Sequence, residues 1–391
     1  MSETRSRWAL LGVFVLSTAI NYLDRATLAT VAPEVKREFG LPNEGYGWIA
    51  NGFYVVYALA APFAGMLVDR IGLHRAATLA VAVWSCAGIA TGFTTGVVGL
   101  AACRGLLGLA EAAGIPAAGK AIHRYVAAPE RGLGNALNQA AVSLGQVLAP
   151  PIATLIALRS GWRHAFIVTG ALGLAWIPVW LWMSRADRAA PTKPTSAAAR
   201  ITRDRRVWIF AAVNLLAMVP YALWSNFTTL FFVEGRGLTF AEAMRYAWIP
   251  PAFAAIGGFA GGWFSAVFMR RGTSATSARF RVCLASSVLS LAAIAIPVAT
   301  TVAWAAVAVS VSFLAAAAFS VNLYSLPIDI FGGAHAGFAI SMLTATAGAA
   351  ALVSPYFGHL IDTHGYAPVT AIAAVTPLAA SALLWFSRAT R

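Results

Sequence analysis

Apolar residues fall into twelve long runs along this chain, at roughly 8–31, 46–68, 76–96, 98–121, 133–157, 164–184, 207–232, 246–269, 280–299, 302–328, 336–360 and 366–387. Each is about 20 residues or longer and shows no apolar–polar alternation, so the pattern predicts helices that span a bilayer. The first run begins at Trp8, lacks a small-residue cleavage site and continues past Asp24. It is therefore read as a retained helix and not as a signal peptide.

Composition strengthens this reading. Of 391 residues, 59% are hydrophobic and only 11% are charged, against about 25% charged in a soluble domain. A net charge of +14 raises nucleic acid as a partner, but the placement of the cations argues against it. They cluster between alternate runs: Arg70 and Arg75; Lys120, Arg124 and Arg131; Arg185 to Arg206; Arg270, Arg271, Arg279 and Arg281; and in both tails. That is the positive-inside pattern of an inner-membrane protein with both termini cytoplasmic. The basic, Pro/Ala/Thr-rich stretch 185–206 divides a six-helix bundle at 1–184 from a second at 207–391 and reads as a linker that anionic lipid would favour. Cys86, Cys103 and Cys283 lie far apart in apolar runs, with no Cys/His cluster. They are expected to be buried, inert thiols, and neither a metal nor another cofactor is expected.

Six spans, a basic loop and six more spans is the layout of the major facilitator superfamily, an all-α membrane fold of two pseudo-symmetric bundles around a midplane site. The loop after the second run, Gly65-Met-Leu-Val-Asp69-Arg70-Ile-Gly72-Leu-His74-Arg75, resembles that superfamily's signature loop, with His74 in place of one cation. Its glycines permit close approach of helices. Asp69 is expected to cap a neighbouring helix or to pair with a cation across the bundle interface, a contact that would bias a two-state equilibrium. The bland alternative is a loop that only fixes orientation. Gly65, Asp69, Arg70, Gly72 and Arg75 are the candidate gating residues.

Four charges sit inside apolar runs: Asp24 and Arg25 in the first, Arg104 and Glu111 in the fourth. A charge at the bilayer centre costs about 2.5–3.5 kcal/mol on insertion scales, so it faces a partner or a wet path. Asp24 and Glu111 can take up protons, whereas arginine cannot lose one. Asn21, Tyr22 and Arg25 share a face of the first helix at helical spacing. In the functional reading Arg25 binds a carboxylate while Asp24 and Glu111 carry protons; in the structural one Asp24 and Arg25 form a packing ion pair. Arg104 and Glu111 share a face two turns apart, too far to touch readily, so each needs another partner. Tyr57, Gln139 and Trp224 are further candidates for lining the cavity, although aromatic residues in membrane helices also serve as packing or belt residues. All six histidines fall in loops or near span ends and are expected to be mostly solvated.

INYLDR in the first helix, RGLLGLAEAAGIP in the fourth and APPIATLIALRSGWRHAFIVTGALGLAW across the fifth and sixth resemble the anion:cation symporter branch, bacterial proton-coupled importers of hexuronates, aldonates and aldarates. The resemblance covers nearly the whole chain. It implies that Asp24 and Glu111 are protonation sites, that Arg25 holds the substrate carboxylate beside Tyr22 and Tyr57, and that Arg104 couples to Glu111. Two departures stand out. The seventh helix reads Phe227-Thr228-Thr229-Leu230-Phe231, and the eleventh offers Ser341, Thr344 and Thr346 in place of an asparagine- and glycine-rich pattern. The expected function is proton-coupled import of an organic anion by alternating access, by a monomer, with a substrate smaller or more apolar than a hexuronate. The alternative is a proton-coupled metabolite or drug exporter of the same superfamily. An enzyme is not expected, since no nucleophile–base or metal constellation appears.

Overall fold

Proline decides where several of the apolar runs break. A computed structural model describes residues 3–127, 130–185, 204–331 and 336–387. The helices are α1 (Glu3–Phe39), α2 (Asn43–Ile71), α3 (Leu73–Thr91), α4 (Val97–Glu111), α5 (Gly114–Tyr125), α6 (Arg131–Ser160), α7 (Trp162–Ser184), α8 (Arg205–Ala217), α9 (Val219–Leu230), α10 (Phe240–Ala247), α11 (Ile249–Arg270), α12 (Ala275–Ser290), α13 (Val302–Phe331), α14 (Ala336–Ala350), α15 (Ser354–His364) and α16 (Tyr366–Phe386). The single fourth run of the sequence is thus two helices. Pro116 has no N–H to give the Ala112 carbonyl, and α4 ends at Glu111. Pro220, Pro250 and Pro355 stand at the starts of α9, α11 and α15, just after equivalent breaks.

Among the described residues, eleven helical stretches are long and apolar enough to cross a membrane, and a twelfth forms if Asn43–Ala61 and Phe63–Ile71, bent by 59°, count as one span. Helix α1 runs further than the apolar run that predicted it, because the polar turns up to Phe39 remain helical. Most of the linker at 185–206, with the basic C-terminal tail, lies outside the described residues. Large apolar side chains cover the outside, among them Leu144, Trp182, Phe259 and Trp263, as expected where hydrocarbon takes the place of water. Cys86 is on that exposed surface and Cys103 is half-buried, so of the three thiols only Cys283 fits the expectation of burial.

The chain divides into two compact units: Met1–Phe39 with Gly52–Pro194, and Gly40–Asn51 with Thr195–Arg391. In the first unit, glycines bring helix backbones together. A Cβ on Gly145 of α6 would come within 2.3 Å of the Ala19 carbonyl of α1. One on Gly108 of α4 would meet Phe53 O of α2 at 2.4 Å, and one on Gly170 of α7 would meet Ser85 O of α3 at 2.6 Å. Small residues at helix crossings do this work in bilayers, where apolar burial gives no driving force. An aromatic stack closes the end of this unit: Trp176 and Trp180 have centroids 5.3 Å apart, and His74 stacks on Trp180 at 5.3 Å. His74 is therefore a packing residue and not a solvated one.

The second unit repeats the device, with a Cβ on Gly257 of α11 falling 2.2 Å from Leu314 O of α13. Serines tie α12 to α16: Ser287 Oγ donates to Pro377 O at 2.7 Å and Ser290 Oγ to Ala374 O at 3.0 Å. The sequence placed residues 40–51 with the first bundle, yet they group with the second unit. Asp362 of α15 supplies the cap that Pro42 cannot, accepting from the backbone N–H groups of Asn43 at 3.0 Å and Glu44 at 2.9 Å. Asn43 Nδ2 donates to Glu234 Oε2 at 3.0 Å, Tyr46 donates to Asn226 O at 3.1 Å, and His359 Nδ1 meets Glu44 Oε2 at 3.0 Å.

Overpacking against backbone costs about 1–3 kcal/mol or more. Gly145→Val and Gly257→Val are expected to lower the unfolding temperature in detergent clearly, while Gly258→Ala, where a Cβ meets nothing within 4 Å, is expected to leave it within error.

Candidate functional site

Asp24 and Arg25 leave their helix in different directions. Consecutive residues of a helix do not face each other, and the two side chains reach different partners, so the packing ion pair between them is not formed. Arg25 turns to α4, where its Nε donates to Glu111 Oε2 at 2.8 Å and its Nη2 lies 2.7 Å from the same oxygen in an ion pair. Asp24 turns to α7 and accepts from Thr169 Oγ1 at 2.6 Å. Asp24, Arg104 and Glu111 are all buried, and the Arg25 side chain keeps 21% of its exposure. It is the one cation of the cluster that reaches solvent-accessible space.

Aromatic rings surround the guanidinium. Arg25 Cζ lies 4.7 Å from the Tyr22 centroid, 4.8 Å from Phe53 and 5.2 Å from Tyr57. Cation–π contacts of this kind contribute about 0.5–2 kcal/mol each, more when dry. The Phe53 ring is shared, with Arg104 Cζ 5.2 Å from its centroid. The resemblance implied that Arg104 couples to Glu111 as its partner. The hydrogen-bonded partner of Glu111 is Arg25, and Arg104 acts on Glu111 and Asp24 through its charge. Asn21 borders Glu111. Helix α4 stops at Glu111, so the carboxylate stands at a break in the backbone, a common place for ion and substrate contacts in transporters.

Seven other predicted residues have surroundings of their own, Gly65 among them, where a Cβ would lie 3.9 Å from Pro116 of α5. Gln139 is exposed on α6, outside the Arg25–Glu111 contact. Trp224 belongs to the second unit, where it is buried and donates to Ser312 Oγ at 3.1 Å. In the loop, Asp69 pairs with Lys120 of α5, in its own unit, at 2.8 Å. Gly72 has φ +84 and forms the corner before α3. Arg70 and Arg75 are exposed.

Three participants were missed in the sequence. Phe53 had a signal, since it lies one turn before Tyr57. Thr169 is a lone hydroxyl in an apolar helix, and Gly88 one glycine among many. Each is identified only by where Asp24 points.

The family model for the Major Facilitator Superfamily matches residues 14–348. Among curated proteins, the hexuronate transporter of Escherichia coli strain K12 is 27% identical over 402 residues, covering 97% of this chain and 93% of that protein. The galacturonate transporter of Dickeya chrysanthemi is 29% identical, covering 68% and 83%. A Cupriavidus necator protein named "Probable sulfoacetate transporter" is 28% identical, covering 92% and 89%. Among solved structures, a bacterial homolog to the human lysosomal transporter Spinster, inward-facing and occupied, superposes with a TM-score of 0.77 at 18% identity, covering 98% of this chain and 96% of that one. That likeness bears on the fold alone.

Removing one member of a buried pair leaves the other charge uncompensated, at about 3–5 kcal/mol. Arg25→Met is therefore expected to lower the melting temperature in detergent more than the double change Arg25→Met with Glu111→Gln, and scanning calorimetry of the two purified variants decides this.

Proposed function

The chain belongs to the Major Facilitator Superfamily, a family of membrane transporters, and on that premise we propose that it imports a small organic carboxylate together with protons across the bacterial inner membrane, as a monomer with both termini in the cytoplasm. It is a multi-pass transporter and not an enzyme. The observation that carries the proposal is the Arg25–Glu111 pair: a guanidinium with one reachable edge, already gripping a carboxylate of the protein's own.

Charge balance gives the coupling. Asp24 and Glu111 together offset Arg25 and Arg104, so the buried cluster sums to zero with both acids ionised. A substrate carboxylate that enters and takes Arg25 adds one negative charge. Leaving it uncompensated in a low-dielectric interior costs several kcal/mol. A proton on Glu111 removes that charge and releases Arg25 in the same step, because a neutral acid is a poor competitor for the guanidinium. The substrate and the proton therefore stabilise each other's presence, which is positive coupling between two ligands. One proton per monoanion is electroneutral. A second, on Asp24, would add a charge worth about 2.3 kcal/mol per 100 mV. Tyr22 and Tyr57 stand beside the guanidinium to frame the anion.

The named cargoes of the relatives, hexuronate, galacturonate and sulfoacetate, share a carboxylate and differ in size. Polar side chains of α9 and α14 are largely taken up within the second unit. Asn226 Nδ2 donates to Ala222 O at 2.9 Å, Trp224 to Ser312, Thr228 to Trp224 O, and Thr344 to Ile340 O at 3.0 Å. Hydroxyls bonded back to their own helix are poor recognisers of sugar hydroxyls. This supports a substrate shorter or less hydroxylated than a hexuronate.

Purified protein in liposomes, tested with labelled hexuronates, aldonates and two- to four-carbon acids under imposed pH and voltage gradients, examines the proposal. Uphill uptake driven by an acidic exterior is expected, and uptake indifferent to the pH gradient would defeat the coupling. Glu111→Gln is expected to exchange substrate down its gradient while losing at least tenfold in proton-driven accumulation.

A further inference from the structure

The carboxyl of Asp24 is lodged between two helices. Across from α1, Gly88 of α3 lies so close that a Cβ there would be 3.0 Å from Asp24 Oδ2 and 3.3 Å from Oδ1. On the other side Thr169 of α7, fully buried, donates its hydroxyl to Oδ1 at 2.6 Å and also leans on Phe166 O at 3.3 Å. The spacing of this slot is fixed by backbone. One turn from Gly88, Ser85 meets Gly170 and Gly173 of α7, where added Cβ atoms would come within 2.6 Å of its carbonyl and 2.1 Å of its hydroxyl. Neither residue touches Arg25 or Glu111.

We propose that Thr169 is a positioning residue of the transport cycle: its hydroxyl, with the slot opposite Gly88, holds the Asp24 carboxyl away from Arg25, so that Glu111 alone competes with substrate for the guanidinium and Asp24 takes up its proton separately. The inference deepens the reading of this cluster as a proton and carboxylate site and rests on it. The physical content is a difference between protonation states. Ionised Asp24 accepts a charge-assisted bond from Thr169, about twice as strong as a neutral one. A protonated Asp24 has less to gain from that donor. Thr169 therefore favours the ionised form and ties its release to one geometry.

The test reads Asp24 directly. A hydrophobic carbodiimide modifies protonated buried carboxyls, and mass spectrometry of the purified protein gives the extent at Asp24 against pH. Loss of one hydrogen bond to a charged group is worth about tenfold in proton affinity. Thr169→Val, which keeps the shape, is expected to move the modification midpoint about one unit to higher pH, with the pH profile of uptake moving alongside it. Thr169→Ser is expected to restore both. A midpoint within about 0.3 of the unaltered protein's in Thr169→Val, or a lowered melting temperature with an unmoved midpoint, would overturn the role. If Thr169→Val does not fold, Thr169→Ala makes the same comparison. Labelling needs no flux, so uptake that ignores the pH gradient would count against the transport reading while the labelling still decides the role of Thr169.

Discussion

A fixed positive charge set among buried groups governs this molecule. Arg25 cannot shed its proton, so the structure must supply negative charge wherever that guanidinium sits, and Glu111 does so with a hydrogen bond from Nε and an ion pair with Nη2 on one oxygen. Everything near the site is arranged around that requirement: the break of α4 just after Glu111, the rings of Tyr22, Phe53 and Tyr57, and the diversion of Asp24 toward α7. In the cycle we propose, a guest carboxylate replaces the internal one once a proton neutralises it, so that the buried charge stays balanced.

Backbone proximity supplies the precision. Glycines at 108, 145, 170 and 173 put helices α1 to α4, α6 and α7 within a Cβ of one another, and close packing of that kind leaves few rotamers for the charged side chains between them. Proline supplies the interruptions. Where it removes a backbone donor, the helix is interrupted: Glu111 ends α4 just before α5, and Lys120 of α5 pairs with Asp69.

Much of this was legible in the sequence, and the failures have physical causes. Hydropathy located the spans among the described residues because a bilayer demands about 20 apolar residues, and the four intramembrane charges marked the buried cluster that they form because their burial is so costly. Partner choice was not legible. That Glu111 meets Arg25, eighty-six positions away, depends on how α1 and α4 cross, which no local pattern encodes. Thr169 and Gly88 were invisible for the same reason. Residues 40–51 group with the second unit, where Asp362 caps α2 from 319 positions away, a contact that no local pattern encodes. Trp224 looked like a cavity residue by its position in a span, yet a buried indole N–H needs an acceptor, and Ser312 provides it.

Phe53 touches both guanidiniums, its centroid 4.8 Å from Arg25 and 5.2 Å from Arg104. Two like charges at such a separation would repel strongly in hydrocarbon, where no solvent dipoles can reorient between them. Glu111 and Asp24 supply the opposite charge, and the π system of one benzene ring attracts both cations besides, each by about 0.5–2 kcal/mol. A phenyl group with no polar atom thereby becomes a shared neighbour of two permanent cations.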